Sequence, residues 1–160
     1  MQLKIDVAGE AQVSRAFAVY GKEADDLREP LSDIADELRE AIGEQFRTEG
    51  TRGGSKWKAL SPSYRRWKEA NYPGRPMLVR TGDMRSAMLD RLAFHVNRKR
   101  MLYAPNVPLT DDGEQYALIH QQGRGQMPRR KMVNLTTADK RQFERIFAHW
   151  LTYIRRRSFR

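Results

Sequence analysis

The side chains most able to do chemistry are three histidines, His95, His120 and His149, and their spacing argues against a shared site. No two stand at i and i+4 and none has a cysteine beside it, so a metal centre would need a coincidence of the fold. Asp111 and Asp112 lie between Pro108 and Gly113, where aspartate serves turn geometry. Ser61 and Ser63 lack the elbow of an activated serine and read as helix caps. Residues Thr48 to Ser55 carry Gly50, Gly53 and Gly54 but no Gly-Lys-Ser/Thr ending and no preceding apolar strand, so they read as a flexible loop rather than a phosphate cradle. With no cysteine, disulfides and thiol catalysis are excluded. The expectation is a protein without enzymatic activity, cofactor or metal.

One pattern survives this filter. Tyr64, Arg65, Arg66, Trp67 and Lys68 interleave aromatic and basic side chains as a nucleic-acid stacking platform would. Helical geometry speaks against that use. Tyr64, Trp67 and Lys68 share one face, and a Tyr–Trp pair is expected to be buried, leaving Arg65, Arg66 and Glu69 as a solvated face. The pattern belongs to a longer stretch, Ser55 to Ala87, on which the middle of the chain depends. From Arg47 to Gly82 it holds nine Lys/Arg against Glu49 and Glu69.

The charge is divided along the chain. Residues 1–46 carry 5 Lys/Arg and 11 Asp/Glu, whereas residues 47–160 carry 25 and 9, so a net of −6 precedes a net of +16. Such a chain suits contact with nucleic acid through its basic part, or head-to-tail self-association of acidic on basic surfaces. The plain alternative is a solvated basic surface with no partner. An apolar share of 39% and a charged share of 31% over 160 residues fit one soluble domain spanning residues 1–160, with a core that needs no metal. No apolar run approaches the about 18 residues of a membrane span, and the start from Met1 to Asp6 lacks a signal-peptide core, so no membrane partner is expected.

The elements that must position these residues follow from periodicity. Leu3, Ile5 and Val7 alternate as a strand, and Val13, Ala16, Phe17 and Tyr20 follow helical spacing until Gly21 kinks or ends the helix. From Pro30 the row Leu31, Ile34, Leu38, Ile42 and Phe46 predicts a long helix, with Asp33, Glu37, Glu40 and Glu44 as an acidic stripe on another face. Ser61 and Pro62 start a helix that ends before Pro73, Gly74 and Pro76, and Thr81 caps a short one through Met84 and Met88. Leu92 to Val96 and Met101 to Ala104 form a hairpin with Arg98, Lys99 and Arg100 at its tip. After a loop from Pro105 to Gly113, Glu114 to Gln121 is a helix burying Tyr116 and Ile119, and Met132 to Leu135 is extended. Thr136 or Thr137 caps a last helix faced by Phe143, Ile146, Phe147, Trp150 and Ile154, ending in a basic tail at 155–160 expected to be disordered. The fold expected is α+β: a small, mostly antiparallel sheet against two long helices, with extended loops.

These residues also carry a resemblance. A glycine-rich loop, then Trp57-Lys58-Ala59-Leu60-Ser61-Pro62, Tyr64, Lys68, Leu78, Thr81-Gly82-Asp83-Met84 and Ser86 resembles the virion morphogenesis or tail completion proteins of tailed bacteriophages, Mu-like phages and prophages included. Tyr116-Ala117, Ile119-His120-Gln121, Gly123, Pro128-Arg129-Arg130 and Leu135 continue the likeness, which covers Leu31 to Tyr153. The resemblance implies a non-enzymatic structural protein of virion assembly at the head–tail joint or tail end (tail terminator or neck). It would form a homo-oligomeric ring of about six copies around the DNA passage. Its partners would be tail-tube or head-connector proteins, in the virion and, during assembly, in the host bacterial cytoplasm.

By this likeness Trp57, Leu60, Tyr64, Leu78, Thr81 and Gly82 hold the fold. Glu37, Glu40, Glu44, Pro128, Arg129 and Arg130 are candidate interface residues, and Arg98, Lys99, Arg100, Arg155, Arg156 and Arg157 are candidates to lie near DNA. The loop from Asn106 to Gly113 and the tail from Arg155 to Arg160 depart from the family pattern, the first in length and the second in charge. The alternative function is a small basic DNA-binding protein acting through nonspecific phosphate contacts.

Overall fold

The structure, a computed structural model, describes residues 10–159. The strand expected at Leu3, Ile5 and Val7 lies outside the described residues. Helix α1 spans Glu10–Ala24 and α2 spans Arg28–Arg47. Gly21 does not end α1, which runs on one turn further. In α2 the predicted apolar row is buried from Ile34 to Phe46, with Leu31 half-buried, because the three- and four-residue spacing holds one face inward along the helix. Helices α3 (Pro62–Asn71) and α4 (Asp83–Leu89) precede a hairpin of β1 (Phe94–Val96) and β2 (Met101–Tyr103), and α5 (Tyr116–Gln122) and α6 (Thr137–Ser158) complete the chain. The fold is α+β and mostly helical.

The hairpin pairs Phe94 with Tyr103, His95 with Leu102 and Val96 with Met101. Its inner face packs against the core and its outer face leaves His95 and Leu102 exposed, as period-two alternation requires. Helix α2 is the spine. It carries the hairpin, α4 and α6, while α6 also carries α1. The core joins Leu38, Ile42 and Phe46 to Trp57, Val79, Met84, Met88, Val107, Ala117 and Met132.

Two stretches fold differently from their sequence reading. The loop from Thr48 to Ser55 is not loose: a 3-10 turn at Thr51–Gly53 fills it, and Trp57 N donates to Glu49 O at 2.7 Å. Gly50 sits at φ +93°, where a Cβ would come within 2.5 Å of the Trp57 ring, so glycine is needed there both for conformation and for space. Residues Met132 to Leu135 form no strand. Side chains satisfy the backbone instead: Gln121 Oε1 accepts from Met132 N at 2.8 Å and Val133 N at 3.1 Å, and Gln121 Nε2 donates to Val133 O at 2.8 Å.

Thr136 caps α6 in a capping box with Asp139. Burial raises the Asp139 carboxyl, but the Arg52 guanidinium and the Thr136 bonds outweigh it, and its pKa lies below the ordinary value. Helix α6 continues to Ser158, so Arg155, Arg156 and Arg157 form its last turn rather than a disordered tail.

Candidate subunit interfaces

Trp57 anchors the centre. It is 5% exposed, meets Phe46 edge-on with ring centroids 5.6 Å apart, and its indole N–H donates to Lys131 O at 3.0 Å. The same carbonyl accepts from Gln45 Nε2 at 2.9 Å, so the buried amide and the indole together hold the chain that leads into Met132. Leu60 and Leu78 are half-buried. Leu78 takes φ +60°, a strained conformation for a leucine, as the chain turns from α3 into α4. Gly82, at φ +110°, is the residue before α4, and Thr81 sits one place earlier than expected, its hydroxyl bonded to Asp83 Oδ2 at 2.7 Å.

Helix α3 reverses the predicted burial. Ser61 caps it and Pro62 begins it, as the sequence indicates. Tyr64 and Trp67, expected inside, are 38% and 43% exposed, stacked on each other at 5.4 Å, and Trp67 lies 5.7 Å from Tyr72. Lys68 is the buried residue of the helix. Its ammonium donates to Pro76 O; burial lowers its pKa, and the Glu49 carboxylate nearby opposes that shift. A single good acceptor and a counter-charge let a lysine stem fill the space that an aromatic ring was expected to take.

Arg130, predicted to meet a neighbouring subunit, is turned inward and only 3% exposed. Its Nε donates to Lys58 O at 2.9 Å and an Nη to Ala59 O at 3.2 Å, tying the Pro128–Arg130 segment to the strand-like chain after Trp57. Burial lowers its pKa from the ordinary arginine value, and the neighbouring Tyr116 and Tyr64 oppose that shift. His120 lies beside it, buried, with its Nδ1 unpartnered; burial and then the Arg130 charge push its pKa down to about 4. In α5, Ala117 and His120 are the buried residues, and Tyr116, expected inside, is exposed. Nothing in the residue pattern signals this inward Arg–His pair, since both residue types ordinarily face water; the Tyr116–His120 spacing on one helix face was the available hint. Arg129 stays outside, its Nε donating to Gln121 O at 3.2 Å, and Pro128 is half-buried.

The acidic side is a groove between α2 and α6. Asp33, Asp36, Glu37 and Glu40 line it with Ile146, and this open groove has a volume of about 310 Å³. Glu37 accepts from Gln142 Nε2 at 3.1 Å, and Asp36 pairs with Arg39 at 3.2 Å. Glu44 lies further along and pairs with Arg47, whose hydrogen bond holds the Glu44 carboxyl below its ordinary pKa. The predicted stripe is therefore divided, with Glu37 and Glu40 in the groove and Glu44 outside it.

The basic residues proposed to lie near DNA have other neighbours. Arg98 pairs with Asp25 at 3.2 Å, Lys99 also pairs with Asp25, and Arg98 O accepts from Leu27 N at 2.9 Å, so the hairpin tip clamps the α1–α2 corner. Arg157 reaches Glu23 at 3.6 Å. Arg100, Arg155 and Arg156 are exposed. Among the described residues no group of three or more His, Asp or Glu could hold a metal ion, and no helix is long and apolar enough to cross a membrane.

Comparison with curated proteins and with solved structures finds no match. Comparison with family models finds one: the phage virion morphogenesis family matches residues 9–152, through α2, the Trp57 anchor and most of α6. With that much of its length matched, the chain belongs to the phage virion morphogenesis family.

Proposed function

We propose that the chain completes the tail or the head–tail joint of a tailed phage by assembling into a ring, without catalysing a reaction. Family membership gives the coarser statement, a structural role in building the virion. The finer one is supported by the acidic groove on α2, which the excess of basic residues after residue 47 on a second copy could complement in charge. A subunit with two different complementary sides associates head to tail and closes where the rotation allows. The test is the mass of the purified chain, alone and with tail-tube protein. A discrete species of about six copies is expected; a chain that stays monomeric in both conditions overturns the ring.

A second reading, nonspecific contact with DNA in the lumen, is favoured by the exposure of Arg100, Arg155 and Arg156. Its signature would be affinity for short duplex DNA that falls steeply with salt.

A further inference from the structure

Helix α3 is built inside out. Among the described residues no other helix or strand packs extensively along it, and its Lys68 is buried while its aromatic pair is partly exposed. Arg65 and Arg66 are exposed on the two flanks of the helix beside the stacked Tyr64 and Trp67, and Arg80 is exposed near Tyr64. Tryptophan, tyrosine and arginine are the residues that dominate binding energy at protein interfaces, and an indole left partly in water gains from being covered.

We infer that this face of α3 docks into the acidic groove between α2 and α6 of a second copy of the chain. The inference rests on the ring reading and specifies its contact. The groove offers what the face lacks: carboxylates of Asp33 and Glu40 at its rim, opposite Arg65 and Arg66, and the apolar side chain of Ile146 for the aromatic pair. Among the described residues α3 packs extensively against neither α2 nor α6, which leaves both surfaces open to a second copy. The surfaces differ from each other, which makes the contact heterologous and lets it propagate around a ring. Duplex DNA fits the face less well. Its base faces are already stacked, so it would meet the arginines and leave the rings uncovered.

The chain has no cysteine, which makes engineered pairs unambiguous. Chains carrying Arg66→Cys and chains carrying Glu40→Cys are mixed under mild oxidation, and the mass of the uncross-linked full chain is followed by sedimentation. A covalent dimer in the mixture, absent from either chain alone, is expected. Asp33→Lys with Glu40→Lys, and separately Arg65→Glu with Arg66→Glu, should each weaken self-association at least tenfold with circular dichroism unchanged. Combining both reversals in one chain should restore it. Wild-type rings that persist in Tyr64→Ala/Trp67→Ala and give no mixed cross-link overturn this contact and leave the ring standing. A wild-type chain monomeric both alone and with tail-tube protein overturns both. Salt-sensitive duplex binding that is lost in Tyr64→Ala/Trp67→Ala, without self-association, overturns it in favour of nucleic acid.

Discussion

Trp57 and Trp67 belong to the same basic, aromatic stretch, yet one lies in the core and the other on the surface. Trp57 has an aromatic partner in Phe46, an acceptor in Lys131 O and a glycine at Gly50 that makes room for its ring. Trp67 has the rings of Tyr64 and Tyr72 beside it, on a helix whose inward position is filled by Lys68. The difference teaches that burial follows available partners rather than residue size. An indole goes inside where its N–H and its ring are both met, and stays out where a flexible cation can satisfy the inner space with one carbonyl.

The contrast can be broken first at its strongest point. Trp57→Ala should lower stability by about 3 to 5 kcal/mol in chemical denaturation, as truncation of a buried large aromatic does. A soluble variant with an unchanged midpoint would remove Trp57 from the core.

The Arg130–His120 pair beside the α3 face sharpens the comparison through pH. His120 has a folded pKa of about 4 against an ordinary 6.5. Above that ordinary value both states are neutral and the stability is fully present; as pH falls towards 4 the unfolded chain takes up the proton first, and stability drops by up to about 3 kcal/mol. Denaturation between pH 7 and 4 should show this decline, and His120→Asn should flatten it.

Arg130→Met should destabilise by about 1.5 to 3 kcal/mol, the scale of hydrogen bonds from a charged donor. A neutral result would mean that its bonds to Lys58 O and Ala59 O are replaced by water. The smallest effect is expected at the other tryptophan: Trp67→Ala should change stability by less than about 1 kcal/mol. A loss as large as that of Trp57→Ala would show the α3 face to be core.

Much of the local structure was legible. The period of Ile34, Leu38, Ile42 and Phe46 names the inward face of α2, Ser61 and Thr136 name two helix starts, and the alternation before the basic turn Arg98–Arg100 names the hairpin. The candidate site was legible in part. Glu37 and Glu40 do line a groove, but Arg130 is internal, and Arg98 and Lys99 are occupied by Asp25. Arginine and histidine report no direction by themselves, because their long or two-faced side chains suit either environment once acceptors are present. The segment after Lys131 was misread for a related reason: its apolar residues suggest a strand, while the groups that satisfy its backbone are side chains of Gln121 and Gln45, distant in sequence or on another element.

By itself the sequence determined the helices, the caps at Ser61 and Thr136, the hairpin and the division of charge, since each depends on neighbours within a few residues along the chain. Only the tertiary structure decided that Lys68 goes in and Trp67 out, that Arg130 is buried near Tyr64 and Tyr116, and that acidic residues of α2 share a groove with Ile146. Those outcomes turn on which carbonyls, rings and counter-charges arrive from elsewhere in the fold, and spacing along the chain carries no record of that.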